Sequence, residues 1–214
     1  LSIIIDALAY NTYTTAYNTN MAANECFLDS ATLRENVVAL ARNIGYVPRS
    51  RRSSRARISF VVDGLVDTST LTLNSGIVCN GVGDNTSFIF CIPEDITIPV
   101  TNGVAQFNNV EIYEGSFITQ TFTVDTSLFN QRYILDNSFI DTSTIKVKVK
   151  SSSSATSSVT YKQINNIVGV TSTSNSYLLQ EIEDERYELI FGDNVIAKKL
   201  SNNNFITVTY ITNS

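Results

Sequence analysis

The chain has 214 residues, 43% apolar and 16% charged, with 20 acidic against 15 basic side chains, a net charge of -5 and no histidine. A chain of this length buries roughly 70% of the surface its unfolded form exposes, so one large or two small domains with a real core are within reach. Without histidine, Ser-His-Asp and Cys-His nucleophile systems and the commonest zinc ligand are excluded, and no apolar run reaches the roughly 20 residues of a membrane-spanning helix.

From Leu1 to about Ala22 a helical stripe opens with Leu1, Ile4, Ile5 and Leu8 and fades through Tyr13 and Ala16. Asp6 interrupts its apolar start, and it lacks the basic flank and cleavage site of a signal peptide. The chain begins in mid-pattern and stops just after a strand-like run, so both ends read as cuts in a longer protein. The spacing of Leu33, Val37, Leu40, Ala41 and Ile44 predicts a second helix. Thr32 and Glu35 offer a capping box at its start, and Gly45 and Pro48 mark its end. Residues 1–46 are thus expected to form a helical docking segment.

Residues 47–57 form an Arg-rich connector, with Arg49, Arg51, Arg52, Arg55 and Arg57 in an otherwise acidic chain. Such a run can bind phosphates. No aromatic residue is interleaved for base stacking, however, and the net charge opposes a polyanion. Arginine also suits protein interfaces, where its planar fork pairs with carboxylates. Protein contact or a solvated connector is the reading, and no nucleic acid is expected.

After Arg57 the period changes from about 3.6 to 2, with many β-branched and aromatic residues between Gly, Asn and Asp turns. Ile145, Val147 and Val149 alternate with Lys146, Lys148 and Lys150, which predicts one wet face and a strand protected from edge pairing. Phe88 to Ile92 is apolar throughout, as in a strand covered on both faces. Ser151 to Ser158 reads as a flexible loop or hairpin tip. The expected fold class is α+β, mostly β: two amino-terminal helices, then an antiparallel β-rich body over 58–214. If that body divides in two, the break falls near 151–158.

Candidate chemistry is sparse. Cys26, Cys79 and Cys91 are widely spaced and read as reduced buried thiols, although Cys79 and Cys91 could face each other across a hairpin. Glu181, Glu183, Asp184, Glu185 and Glu188 lack calcium-loop spacing and read as a solvated turn. Gly81-Val82-Gly83-Asp84 and Gly192-Asp193-Asn194 read as turns, since neither has the residues of a nucleotide-binding loop. Asp-Thr-Ser recurs at Asp67, Asp125 and Asp141 with unequal spacing, which favours turn chemistry over a repeat. The expectation is a non-enzymatic chain with no cofactor, no metal and no membrane insertion.

Three stretches, in order, carry a resemblance. Asn24-Glu25-Cys26-Phe27-Leu28-Asp29-Ser30-Ala31-Thr32 with Leu40-Ala41-Arg42-Asn43-Ile44-Gly45-Tyr46-Val47-Pro48-Arg49-Ser50 resembles the baseplate wedge proteins of T-even-like contractile-tailed phages, relatives of the baseplate J-like proteins. The run from Asp136 to Val147 is similar to that family's passage from a turn into a long strand, and Leu189 to Ala197 resembles its Phe-Gly-Asp signature. Family members often carry Gly where Ala197 stands. The resemblance implies a structural subunit of the virion, assembled in the host cytoplasm. It would pair with a second copy of itself and with other wedge proteins in the inner baseplate ring, and reach the tail hub indirectly.

On that reading the interface comprises Leu33, Val37, Leu40 and Ile44, with Arg49, Arg51, Arg52 and Arg55 adding orientation. An alternative packs the same stripe wholly on the chain's own sheet. A rival from another class is a carbohydrate- or receptor-binding β module of a tail fibre or adhesin, suggested by Thr/Asn-rich strands and ten Tyr.

Overall fold

The computed structural model describes residues 2–43, 50–83, 85–166 and 168–213, and of Arg42, Asn43 and Glu183 the backbone alone. The chain divides into two units, Leu1–Arg49 and Ser50–Ser214.

The first unit holds α1 (Ser2–Asn24) and α2 (Arg34–Asn43). No Gly or Pro interrupts α1, and its threonines fold their hydroxyls back onto the helix, Thr12 onto the Leu8 carbonyl at 2.9 Å and Thr19 onto that of Thr15 at 2.8 Å. The expected stripe has no covering: no residue of α1 is buried.

The second unit is built from strands. A four-stranded sheet has the order β1 (Arg55–Val62), β6 (Ala105–Glu114), β4 (Thr86–Ile92), β3 (Gly76–Gly83), and β2 (Thr70–Leu73) pairs separately with β5 (Ile96–Pro99). A seven-stranded sheet runs β7 (Ser116–Thr123), β13 (Phe205–Thr212), β9 (Ile140–Lys150), β10 (Val159–Gln163), β11 (Ser176–Glu181), β12 (Tyr187–Phe191), β8 (Tyr133–Leu135). Two cores serve the three sheets, the two-stranded sheet sharing that of the four-stranded one. Ile92, Phe107, Val110 and Ile112 anchor the smaller one, while Leu135, Ile140, Val147, Leu189, Ile206, Val208 and Tyr210 lie at the centre of the larger.

The α+β expectation is overturned: strands make up 44% of the chain and helices 16%, in two helices and three sheets, the largest nearly closed into a barrel. The reason is visible in the cores, because neither cluster contains a helical residue. An α+β fold requires helices to form a layer against a sheet, and here the strands bury their apolar faces on one another. The body is also not purely antiparallel, since β10 and β11 run parallel.

Two strand-level expectations change for related reasons. Val147 and Val149 are buried and Lys148 is exposed, as alternation requires, but β9 lies between β13 and β10, so its lysines guard no edge. Phe88 and Ile89 are exposed because β6 pairs with β4 only at Phe90 and Cys91. The first half of β4 therefore has β3 as its only ladder partner in that sheet. Ser151 to Ser158 lies in the connection from β9 to its antiparallel neighbour β10.

The edges of the large sheet meet through side chains, Gln120 chief among them, with Phe122 of β7 also packed edge-to-face on Tyr133 of β8. Gln120 of β7 donates from Nε2 to the Ile134 carbonyl of β8 at 3.0 Å and to Asp136 Oδ2 at 3.0 Å, and its Oε1 accepts from the Asp136 amide at 3.2 Å. The Tyr210 hydroxyl lies 3.1 Å from the same Oε1 and 2.7 Å from Asn137 Oδ1. Burial pushes that phenol up to about 12.

The Phe-Gly-Asp stretch is a packing device. Phe191 is ringed by Tyr133, Tyr161 and Tyr177, with centroids 5.4, 5.7 and 6.2 Å away. A Cβ on Gly192 would land on the Ile196 and Ala197 backbone. Asp193 Oδ1 accepts from the amides of Val195 at 2.8 Å and Ile196 at 2.9 Å, and these bonds hold its carboxyl below the usual range. Ala197 closes the turn at φ 62, a left-handed conformation that glycine adopts more easily.

Candidate interaction surfaces

At the start of α2 a carboxylate replaces the expected capping box. Glu25 Oε1 accepts from the Thr32 amide at 3.0 Å and the Thr32 hydroxyl at 2.7 Å, and Oε2 from Leu33 N at 3.3 Å and Asn36 Nδ2 at 2.8 Å. A negative charge there also meets the positive end of the helix dipole. The bond from Asn36, then those from Thr32, pull the Glu25 carboxyl down to about 2. A depressed carboxyl stabilises the fold above its unfolded value, near 4.5, and that contribution fades as pH falls towards 2. Amide exchange at Thr32 and Leu33 is therefore expected to accelerate across this window beyond the chemistry of exchange itself, and Glu25→Gln should remove the extra pH dependence. A flat protection profile in the unmodified chain would refute the assignment.

The predicted interface residues of α2 are placed unequally. Leu33 is 58% exposed, Val37 and Leu40 are half-buried, and among the described side chains the buried ones are Val38 and Ala41. Ile44 and Arg49 lie outside the described residues. Helical spacing found the helix but not which sector of it is covered. The larger apolar surface is α1, where Ile3, Ile4, Ile5, Leu8, Tyr10, Tyr13 and Tyr17 are all exposed.

The connector is fastened to the β unit by its serines. Ser53 donates from its amide to Asp141 Oδ2 at 2.9 Å and from its hydroxyl to Asn213 Oδ1 at 2.6 Å, and the Ser50 hydroxyl accepts from the Thr142 amide at 3.0 Å. Asp141 is fully buried and uses its other oxygen to accept from the Ser143 amide at 2.9 Å and hydroxyl at 2.6 Å. Asp125 makes the same pair of bonds with Ser127, at 2.9 and 2.6 Å, so two of the Asp-Thr-Ser triplets are one local hydrogen-bonded motif.

The arginines largely face this chain's own groups. Arg51 stacks 4.1 Å over Phe139 and lies 3.8 Å from Glu185, while Arg55 pairs with Glu111 at 3.2 Å, donates to Ser143 and lies over the Tyr113 ring. Arg57 reaches Glu111 at 3.7 Å. Arg52 is exposed and pairs with no carboxylate among the described residues. Sequence reasoning missed the capping role of Glu25 and the pairing of Glu111, which no local pattern marks; the Asp-Thr-Ser triplet marked Asp141 as a turn residue but not its bond to Ser53.

Elsewhere, Glu188 forms a bidentate pair with Arg132, at 2.8 and 2.7 Å. Cys79 faces the small core opposite Phe90, whereas the buried Cys91 thiol points to the Gly115 carbonyl at 3.2 Å, so the two do not face each other. Among the described residues no three or more Cys, Asp or Glu gather as a metal site, and no helix is long and apolar enough to cross a membrane.

Fold and surfaces together describe a β-rich chain whose polar bonds fasten its own segments and whose long helix α1 has no buried residue, an exposed apolar surface of the kind that marks an interaction site. No family model matches the chain. It is similar to baseplate wedge protein gp6 of Enterobacteria phage T4, 25% identical over 218 residues, which cover 99% of this chain and 31% of that protein. The chain is thus distantly related to a baseplate wedge protein and spans about a third of its relative's length.

Proposed function

We propose that the chain belongs to a structural subunit of a contractile-tail baseplate wedge, joining a second copy of itself and other wedge proteins into the inner ring through its helical segment. It acts by binding, without catalysis or a cofactor. The observation that carries this reading is α1, 23 residues long and without one buried residue. Apolar side chains such as Ile4 and Leu8 would each contribute about 1.5–3 kcal/mol when covered, so a partner helix is the natural occupant. The exposed Arg52 adds orientation and salt dependence at the rim.

The rival sugar-binding module draws on Thr/Asn-rich strands and ten tyrosines, of which Tyr133, Tyr161, Tyr177, Tyr187 and Tyr210 are buried in the large core and offer no stacking platform, while Tyr10, Tyr13 and Tyr17 are exposed on α1. Co-expression with the wedge partners of the same phage tests the proposal. Leu8→Asp and Leu33→Asp are each expected to cut recovery of the complex at least tenfold while leaving the thermal transition of the β unit unchanged. Undiminished recovery in both variants would remove the helices from the interface.

A further inference from the structure

Strand β3 is an outer edge of the four-stranded sheet, and its defences differ from those of the opposite edge. β1 carries Arg55 and Arg57, charges that discourage strand pairing. β3 reads Gly76-Ile77-Val78-Cys79-Asn80-Gly81-Val82-Gly83, with neither a charge nor a proline. Unpaired backbone groups along such an edge are a template for another strand.

A bulge gives β3 a further property. Pairing with β4 runs from Ile77 opposite Cys91 directly to Cys79 opposite Phe90, so Val78 is an inserted residue. Residues opposite each other in an antiparallel ladder share a face, and alternate residues of one strand share a face. Ile77, Asn80 and Val82 stand opposite Cys91, Ile89 and Ser87, three alternating positions of β4, so all three point to one face. Without the insertion, Ile77 and Val82 would lie on opposite faces. That face turns away from the small core, which Val78 and Cys79 join, and it leaves Ile77 68% and Val82 82% exposed.

With the bulge counted as one position of the pleat, Asn80 is midway between Ile77 and Val82. A two-fold axis perpendicular to an antiparallel ladder passes between two residues that face each other directly. An axis at Asn80 satisfies this condition and sets Ile77 of each strand opposite Val82 of the other. We propose that β3 pairs with β3 of a second copy of this chain across a two-fold axis at Asn80, fusing two four-stranded sheets into one of eight. The two Ile77–Val82 contacts and the facing Asn80 amides make the edge complementary to itself, the condition for an isologous interface. A single strand pair buries less than the roughly 1,200 Å² of a stable interface. The pairing is therefore weak alone and strengthens where other contacts already hold two copies together.

Sedimentation velocity of the full chain over a concentration series tests this. A reversible dimer is expected, weakened at least tenfold by Asn80→Lys, which sets like charges face to face, and by Val82→Lys, but unaffected by Val66→Lys at an exposed loop position. In a Cys26→Ser, Cys79→Ser background, Asn80→Cys should give a disulfide-linked dimer with oxidised glutathione, each bond releasing two molecules of reduced glutathione, whereas Val66→Cys should not. A chain monomeric throughout, or a dimer that survives both lysine variants, would overturn the proposal. Loss of the dimer in Leu33→Asp together with its persistence in Asn80→Lys would assign it to the helices, and so separates this edge from the docking role of α1 and α2.

Discussion

Replacing Gly192 with Ala should destabilise the β unit by about 3 kcal/mol, which for a domain of this size lowers Tm by roughly 6–12 °C. The cause is space rather than backbone dihedral. A Cβ at this position would strike the carbonyl of Ala197 and the oxygen of Ile196, both backbone groups that cannot rotate away. Moving them breaks the turn held by Asp193 and shifts Phe191, on which three tyrosines converge. Thermal unfolding followed by near-UV circular dichroism reads both the stability and the aromatic packing. A loss below about 1 kcal/mol would mean that the turn accommodates a methyl group by a small shift and that Gly192 is not obligatory. In the same turn Ala197→Gly should raise Tm, because relief of the left-handed strain at φ 62 outweighs the added freedom of the unfolded chain.

Asp141→Ala is expected to cost a similar amount, about 3 kcal/mol, through a different mechanism. The carboxylate is fully buried and accepts from two amides and a hydroxyl that its removal leaves without that partner. The Ser53 amide is the more damaging loss, since it ties the connector to β9 across 88 residues of sequence. Limited proteolysis should accordingly cut the variant near Ser50 to Ser54 before the β unit unfolds, while Asp141→Asn, which keeps an acceptor oxygen, should protect the site in part. Equal cleavage of all three chains would show that the connector is held by other means.

These two sites mark where the sequence could be read and where it could not. Alternation along β9 and β13 exposed the strands, because burial on one face imposes a period of two, and the spacing from Leu33 to Ile44 exposed α2. Periodicity identifies an apolar sector without saying what meets it. Among the described side chains of α2, Val38 and Ala41, rather than Leu33, are therefore the buried ones, and α1 has no buried position at all. The Arg run was legible as charge, but its partners Glu111 and Glu185 lie far along the chain and follow from strand order. The strand order itself, with the parallel β10–β11 pair, depends on long connections that leave no local pattern. Phe191-Gly192-Asp193 was legible as a turn, whereas the obligation on Gly192 comes from a backbone segment that returns to touch it.

The seam at Gln120 has a mechanical consequence. Every other junction in the seven-stranded sheet is a backbone ladder, whereas β7 and β8 are joined through side chains: the three hydrogen bonds of Gln120, one from Gln131 to the Thr123 carbonyl, and the edge-to-face contact of Phe122 with Tyr133. Parting them costs on the order of a few kcal/mol, far less than tearing a strand from the sheet. Under load the unit should yield first along this line, opening like a split ring while its ladders stay whole, and it should close again when the load is released.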